Sequence, residues 1–180
     1  MTSPPRPWEQ HPVLFLALRY WTGKCVGAAL PGRAAIDPLE LDAALLPHIV
    51  LTEVVFDGGR RRFRFRLSGT AMSAAVGLEL TGQFVDTLNP NKQYAAYIEG
   101  IYGLAMDSRR PVYSESQAIA ARASATRTTR RLTCPLASDG HTVDMFFSAQ
   151  TFEETDGSGA PSLTFADSFR PGPTVVVPPA

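Results

Sequence analysis

Three histidines, two cysteines and a scatter of carboxylates are what this chain offers for chemistry, and their spacing assembles no catalytic constellation. There is no GxSxG nucleophile elbow, no GxxxxGK phosphate loop and no HExxH zinc helix. His11, His48 and His141 are far apart, and His48, inside the apolar run LLPHIVL, reads as a core or edge residue rather than a ligand. Cys25 and Cys134 are too few and too distant for a disulfide framework or a zinc site, so both are expected as reduced structural thiols. For acid or base work the chain has Glu53, Asp86 and Tyr97. A small enzyme built on them needs a buried carboxylate with a hydrogen-bonded partner facing a cavity. Arg62, Arg64 and Arg66 alternate with Phe63, Phe65 and Leu67. If Phe56 pairs with Arg61 across the DGGR turn, Glu53 lies opposite Arg64 and diagonal to Arg66, which makes a cross-strand ion pair the modest reading and an anion site the alternative.

The elements that must position these residues follow from length and punctuation. The chain has 180 residues and is 44% apolar, enough for one domain with one core. Seventeen basic residues balance seventeen acidic ones. That removes the long-range attraction that nucleic acid or an anionic membrane would need. The apolar run VLFLAL at residues 13–18 is too short and too closely flanked by Glu9 and Arg19 for a signal peptide or a membrane span, and a cytoplasmic location is expected.

Three prolines, Pro4, Pro5 and Pro7, make residues 1–11 a loose arm. Pro12 starts a helix to about Thr22, apolar on nearly every face through Val13, Leu14, Phe15, Leu16, Leu18, Tyr20 and Trp21. More apolar surface than one sheet face can cover predicts a homodimer through residues 13–21. Asp37 and Pro38 open a short helix that ends before Pro47. Strands at 48–56 and 61–67 form the DGGR hairpin, GTAMSAAVG (69–77) forms a short helix, and Asn89 caps a long helix from Pro90 to about Asp107. Further strands are expected at 112–122, 128–136 and 142–152. Residues 156–180, rich in Pro, Gly and Ser, read as a flexible tail in which LTFADSF can dock as a short latch.

The words YW, LPGRAAIDPLEL, LLPHIVLTEVV, FRFRLSGT and GLELTG follow one another between Tyr20 and Leu88, and RRPVY (109–113) and CPLASDGHTVD (134–144) continue them. In this order they resemble the PAS sensor family, specifically its alphaproteobacterial single-PAS branch, over residues 12–152. The resemblance implies an α+β fold: a five-stranded antiparallel sheet, helices on one face and the N-terminal helix on the other, within a domain spanning 12–155. It places the second and third strands at opposite edges, so Arg62, Arg64 and Arg66 should not merge with Arg122, Arg127, Arg130 and Arg131. Haem-binding relatives take an iron ligand from the long helix, which here has no histidine. Flavin-binding light sensors need a cysteine that residues 81–92 lack, and neither cysteine has the surroundings of a photoactive-yellow-protein chromophore site. No cofactor and no metal is assigned.

What the resemblance leaves is an apolar cleft between long helix and sheet, lined by Met72, Val76, Phe84, Tyr94, Tyr97, Ile98, Ile101 and Phe147, with Arg66 the residue most able to reach an anionic end group. The functional expectation is a stand-alone sensory or adaptor protein, not an enzyme, that binds a small apolar or aromatic metabolite or a signalling partner protein, without nucleic acid or membrane. The alternatives are a small enzyme using Glu53, Asp86 or Tyr97 in that cleft, and an interaction module with a closed core.

Overall fold

The computed structural model describes residues 6–88, 91–120, 125–154 and 168–179. Helix α1 (Pro12–Lys24) starts on Pro12 and buries Leu14, Ala17 and Trp21, spaced three and four apart as one helical face. The YW pair ties it down. Trp21 Nε1 donates to Pro135 O (2.9 Å), and Tyr20 packs its ring on Phe147 while its hydroxyl accepts from Asp37 N (2.9 Å). Of the arm expected at residues 1–11, residues 1–5 lie outside the described residues. Within residues 6–11 a single turn, Pro7–Gln10, buries the Trp8 indole against Tyr113, an anchor large enough to offset the cost of ordering one turn.

The short helix expected after Asp37 is replaced by two isolated turns, Pro38–Glu40 and Leu46–His48. Leu39 is almost fully exposed there, while Leu41 and Leu45 reach the core from the turns without a continuous helix. Strands β1 (Ile49–Asp57) and β2 (Arg60–Ser68) then form the hairpin, with Gly58 and Gly59 supplying the positive φ angles (57° and 82°) its turn needs. Phe56 pairs with Arg61 and Glu53 with Arg64, as the alternation requires. The register slips between Leu51 and Thr52, leaving Arg66 as the extra residue of a bulge.

Three helices follow: α2 (Thr70–Val76), α3 (Val85–Leu88) and α4 (Lys92–Ser108). Asn91 caps α4, its Oδ1 accepting from Gln93 N (3.0 Å) and Tyr94 N (3.1 Å). The expected cap Asn89, with Pro90, lies outside the described residues. Strands β3 (Val112–Ala120), β4 (Ala125–Leu136), β5 (Met145–Glu154) and β6 (Ser168–Val176) complete a wholly antiparallel sheet in the order β2-β1-β5-β4-β3-β6. The first five strands have the expected order, and β1 and β5 separate the β2 arginines from those of β4. Arg122 lies outside the described residues.

The sixth strand corrects the five-stranded expectation and the reading of 156–180 as a wholly flexible tail. It comes from FRPGPTVV, where two prolines and a glycine argue against a strand. They are tolerated because β6 is an outer edge, where a missing N–H leaves no ladder bond unmade. Around the slip between Ser114 and Ser116, Gly172 lies flat on β3, and a Cβ there would come within 2.9 Å of Glu115 O. Of the proposed latch, residues 163–167 lie outside the described residues, while Phe169 is buried between Tyr94 (5.1 Å) and Tyr97 (5.0 Å).

The sheet has two covered faces. On one, α1 packs over β4 and β5 against Leu132, Cys134, Phe147 and Ala149. On the other, α4 stacks Tyr102 on Phe146 (4.6 Å) and Phe63 (4.7 Å).

Candidate functional site

Helix α4 places Tyr94, Ile98 and Tyr102 four residues apart on the stripe facing the sheet, and beneath its first half the packing leaves a cavity of about 120 Å³. Met72, Ala75 and Val76 of α2 close one side, Leu80, Val85 and Leu88 another. The floor is unlike the apolar roof. On β4 alternate residues face the helices, so Arg127, Thr129 and Arg131 point into the space together. Their cross-strand neighbours continue the rows: Ala118 and Ser116 on β3, Gln150 and Phe152 on β5. Phe169 of β6 forms the outer rim.

The electrostatics of the floor are asymmetric. Arg127 pairs with Glu154, its cross-strand partner, and also donates to Ala75 O near the end of α2. Arg131 has no such counter-charge. It is 4% exposed, donates from Nη2 to Gln150 Oε1 (2.9 Å) and weakly to the Tyr94 hydroxyl (3.4 Å), and among the described residues no carboxylate is within ion-pair distance. The Nε atoms of both arginines are buried without a hydrogen-bond partner among the described residues. Burial opposes the charge on Arg131 and the neighbouring Tyr94 and Tyr102 favour it; the net shift is upward, so the guanidinium stays a cation without a counter-charge among the described residues. Tyr102 is fully enclosed and its hydroxyl is satisfied by Thr52 Oγ1 (3.0 Å); burial raises its pKa.

Of the residues expected in the cleft, the structure brings together Met72, Val76, Tyr94 and Ile98. It places the others elsewhere. Tyr97 stands behind Phe169 and donates to Glu115 O (2.7 Å), and Ile101 is packed in the core one turn further along. Phe147 points to α1, because neighbouring strand residues alternate and Phe146 takes the helix side. Phe84 lies outside the cavity under the Arg62 guanidinium (3.9 Å from the ring centroid), where residue 84 bridges the free edge of β2 at Arg64. Arg66, expelled by the bulge, is exposed and faces Glu53 (3.6 Å).

The β2 arginines make pairs. Arg64 and Arg66 engage Glu53, and Arg62 grips Asp86 with two bonds (3.0 and 2.9 Å) that hold its carboxyl below the usual range. Glu53, Asp86 and Tyr97, the residues an enzyme in this cleft would use, are thus all engaged away from the cavity. Arg131, Arg127, Gln150, Tyr102 and Phe169 are among the lining residues that sequence reasoning missed. The signal for the arginines is in RTTRRLT: a strand with neighbours on both sides must turn one of its two polar alternations inward.

No described group of histidines, cysteines, aspartates and glutamates could hold a metal ion, and no described helix is long and apolar enough to cross a membrane. Cys25 and Cys134 are free, and burial raises both thiols, Cys134 well above its ordinary value. Neither the curated proteins nor the solved structures contain a match to this chain. A family model described as PAS domain matches residues 9–150, a span that includes α1, the hairpin, all three helices over the cavity and its Arg131–Gln150 floor, and that stops short of β6. With its sheet order, its helical layer and that match across most of its length, the chain belongs to the PAS-domain family.

Proposed function

We propose that this domain is a sensory module in signal transduction, in which a small molecule occupies the cavity beneath α4 and a partner protein reads its presence. The observation that carries this is the makeup of the wall: one space of about 120 Å³ touches α2, α4, the central strands and the last strand at once. A cavity of about 150 Å³ is known to take benzene, so the size suits a compact organic molecule of similar or smaller bulk. Phe169 supplies a route out. Its ring lies against Tyr94 and Tyr97, so a ligand that shifts Tyr94 acts on the anchor of β6. The reading fits a reducing cytoplasm, where Cys25 and Cys134 stay thiols, and includes a homodimer through the outer side of α1, where Phe15 is 37% exposed.

Native mass spectrometry of freshly purified full chain tests the reading. The expected result is an adduct of small mass that is lost on denaturation, or, for protein purified empty, a rise in melting temperature with at least one compound of a small-metabolite panel. Bare protein mass together with no response across the panel would favour the closed interaction module.

A further inference from the structure

Resting on the reading of this cavity as a ligand site, we infer that its ligand is a small monocarboxylate, held by Arg131 with its hydrocarbon part under α2 and α4. Charge makes the first argument. Two guanidinium groups line the cavity floor and one carboxylate, Glu154, pairs with the first of them from outside the lining, which leaves the charge of Arg131 uncompensated among the described residues. Buried charges are paired, because an isolated ion pays a desolvation penalty of several kcal/mol. Water can satisfy the Arg131 Nε donor but cannot neutralise the guanidinium; an anion does both.

Geometry narrows the anion. Arg127 and Arg131 are four residues apart on one strand, with backbones about 13 Å apart, and Arg127 is committed to Glu154 and to Ala75 O. Since Arg127 already holds Glu154, a single guanidinium is offered, which matches one planar monoanion better than a doubly charged phosphate. The carboxylate would accept from Arg131 Nε and from the Tyr94 hydroxyl, which takes only a long bond from Arg131 and keeps its own proton to give. Away from Arg131 the wall turns apolar through Met72, Val76 and Leu80. The volume sets the length of the chain at about four to seven heavy atoms, the range of butyrate and isovalerate. The anion-reaching role expected of Arg66 thus passes to Arg131, on another strand and the opposite face.

The test is calorimetric titration and thermal shift on the full chain with butyrate and isovalerate, their neutral amides, and inorganic phosphate, at matched ionic strength. At least one acid should bind about tenfold or more tightly than its amide, the worth of a charge-assisted hydrogen bond in a buried site. Arg131→Gln should abolish that preference, and Arg66→Gln should preserve it. Equal binding of acid and amide, a preference for phosphate, or acid binding unchanged in Arg131→Gln would overturn the inference while leaving the cavity as a ligand site. If neither acids nor amides bind and the native mass spectrum is bare, both readings fall. Should Arg131→Gln fail to fold, the acid and amide comparison on the unaltered chain still decides.

Discussion

Phe169→Ala probes the least expected part of the fold, the docking of β6. Apart from Phe169 and the partly covered Val176, the strand's side chains are exposed, so the phenyl ring and the β3 ladder hold it in place, with Val177 pinned beyond it by Pro111 O (2.8 Å). Burying a phenylalanine is worth about 1.5 to 3 kcal/mol, and a favourable ring contact adds about 0.5 to 1.5 kcal/mol. Phe169 makes two such contacts, and it is buried at the rim of a cavity rather than in the middle of a core. A loss of about 2 to 4 kcal/mol in β6 docking is therefore expected. Because β6 lies at an edge of the sheet, that loss should appear as local opening more than as global unfolding. Hydrogen exchange is the assay. Amides of β6, and those of β3 that face it, should exchange about 30 to 700 times faster in the variant, while β1 and β5 stay near their original rates. Unchanged exchange in β3 and β6 would refute the role of Phe169 as anchor.

Three further outcomes follow. The backbone N–H groups of His141 and Thr142 hold Asp139 down to about 2 from an ordinary 3.8, so its contribution to stability is present above pH 3.8 and lost as pH falls toward 2; Asp139→Asn should flatten the urea midpoint across that window, and an unchanged acid limb would show the turn contributes nothing. Light scattering should report a dimer for the full chain and a monomer for Phe15→Glu, since Phe15 is the large apolar side chain that α1 leaves exposed, under the Arg19 guanidinium (5.9 Å); a full-length monomer would end the assembly proposal. Gly172→Val should release β6 as Phe169→Ala does, because its side chain would meet the Glu115 backbone, and exchange rates equal to those of the unaltered chain would contradict that close approach.

The sheet was legible because its hairpin carries two independent signals, the DGGR turn and the Phe/Arg alternation, which agree on one register. The inward stripe of α4 was legible as spacing but not as destination. Tyr94, Ile98 and Tyr102 reach the cavity while Tyr97 and Ile101, on the same face by periodicity alone, pack to its side, a difference of about one residue's rotation that only the neighbouring elements fix. Phe147 was misplaced by a single step, which on a strand means the opposite face. β6 was hidden because edge strands tolerate the residues that normally exclude strands. The β4 arginines were hidden by expectation: charged residues are read as surface, yet a strand lying between two others under a helical layer has no surface on that side.

The central claim is that Arg131 is the charged contact of a ligand in this cavity, and the guanidinium Nε–H is directly visible in a proton–nitrogen correlation spectrum. On titration with isovalerate the Arg131 Nε–H resonance, assigned by its loss in Arg131→Lys, should move downfield and saturate with the calorimetric binding curve, with the Tyr94 ring signals moving in step. Arginine resonances that stay in place while isovalerate binds, or a shift confined to Arg66, would contradict it.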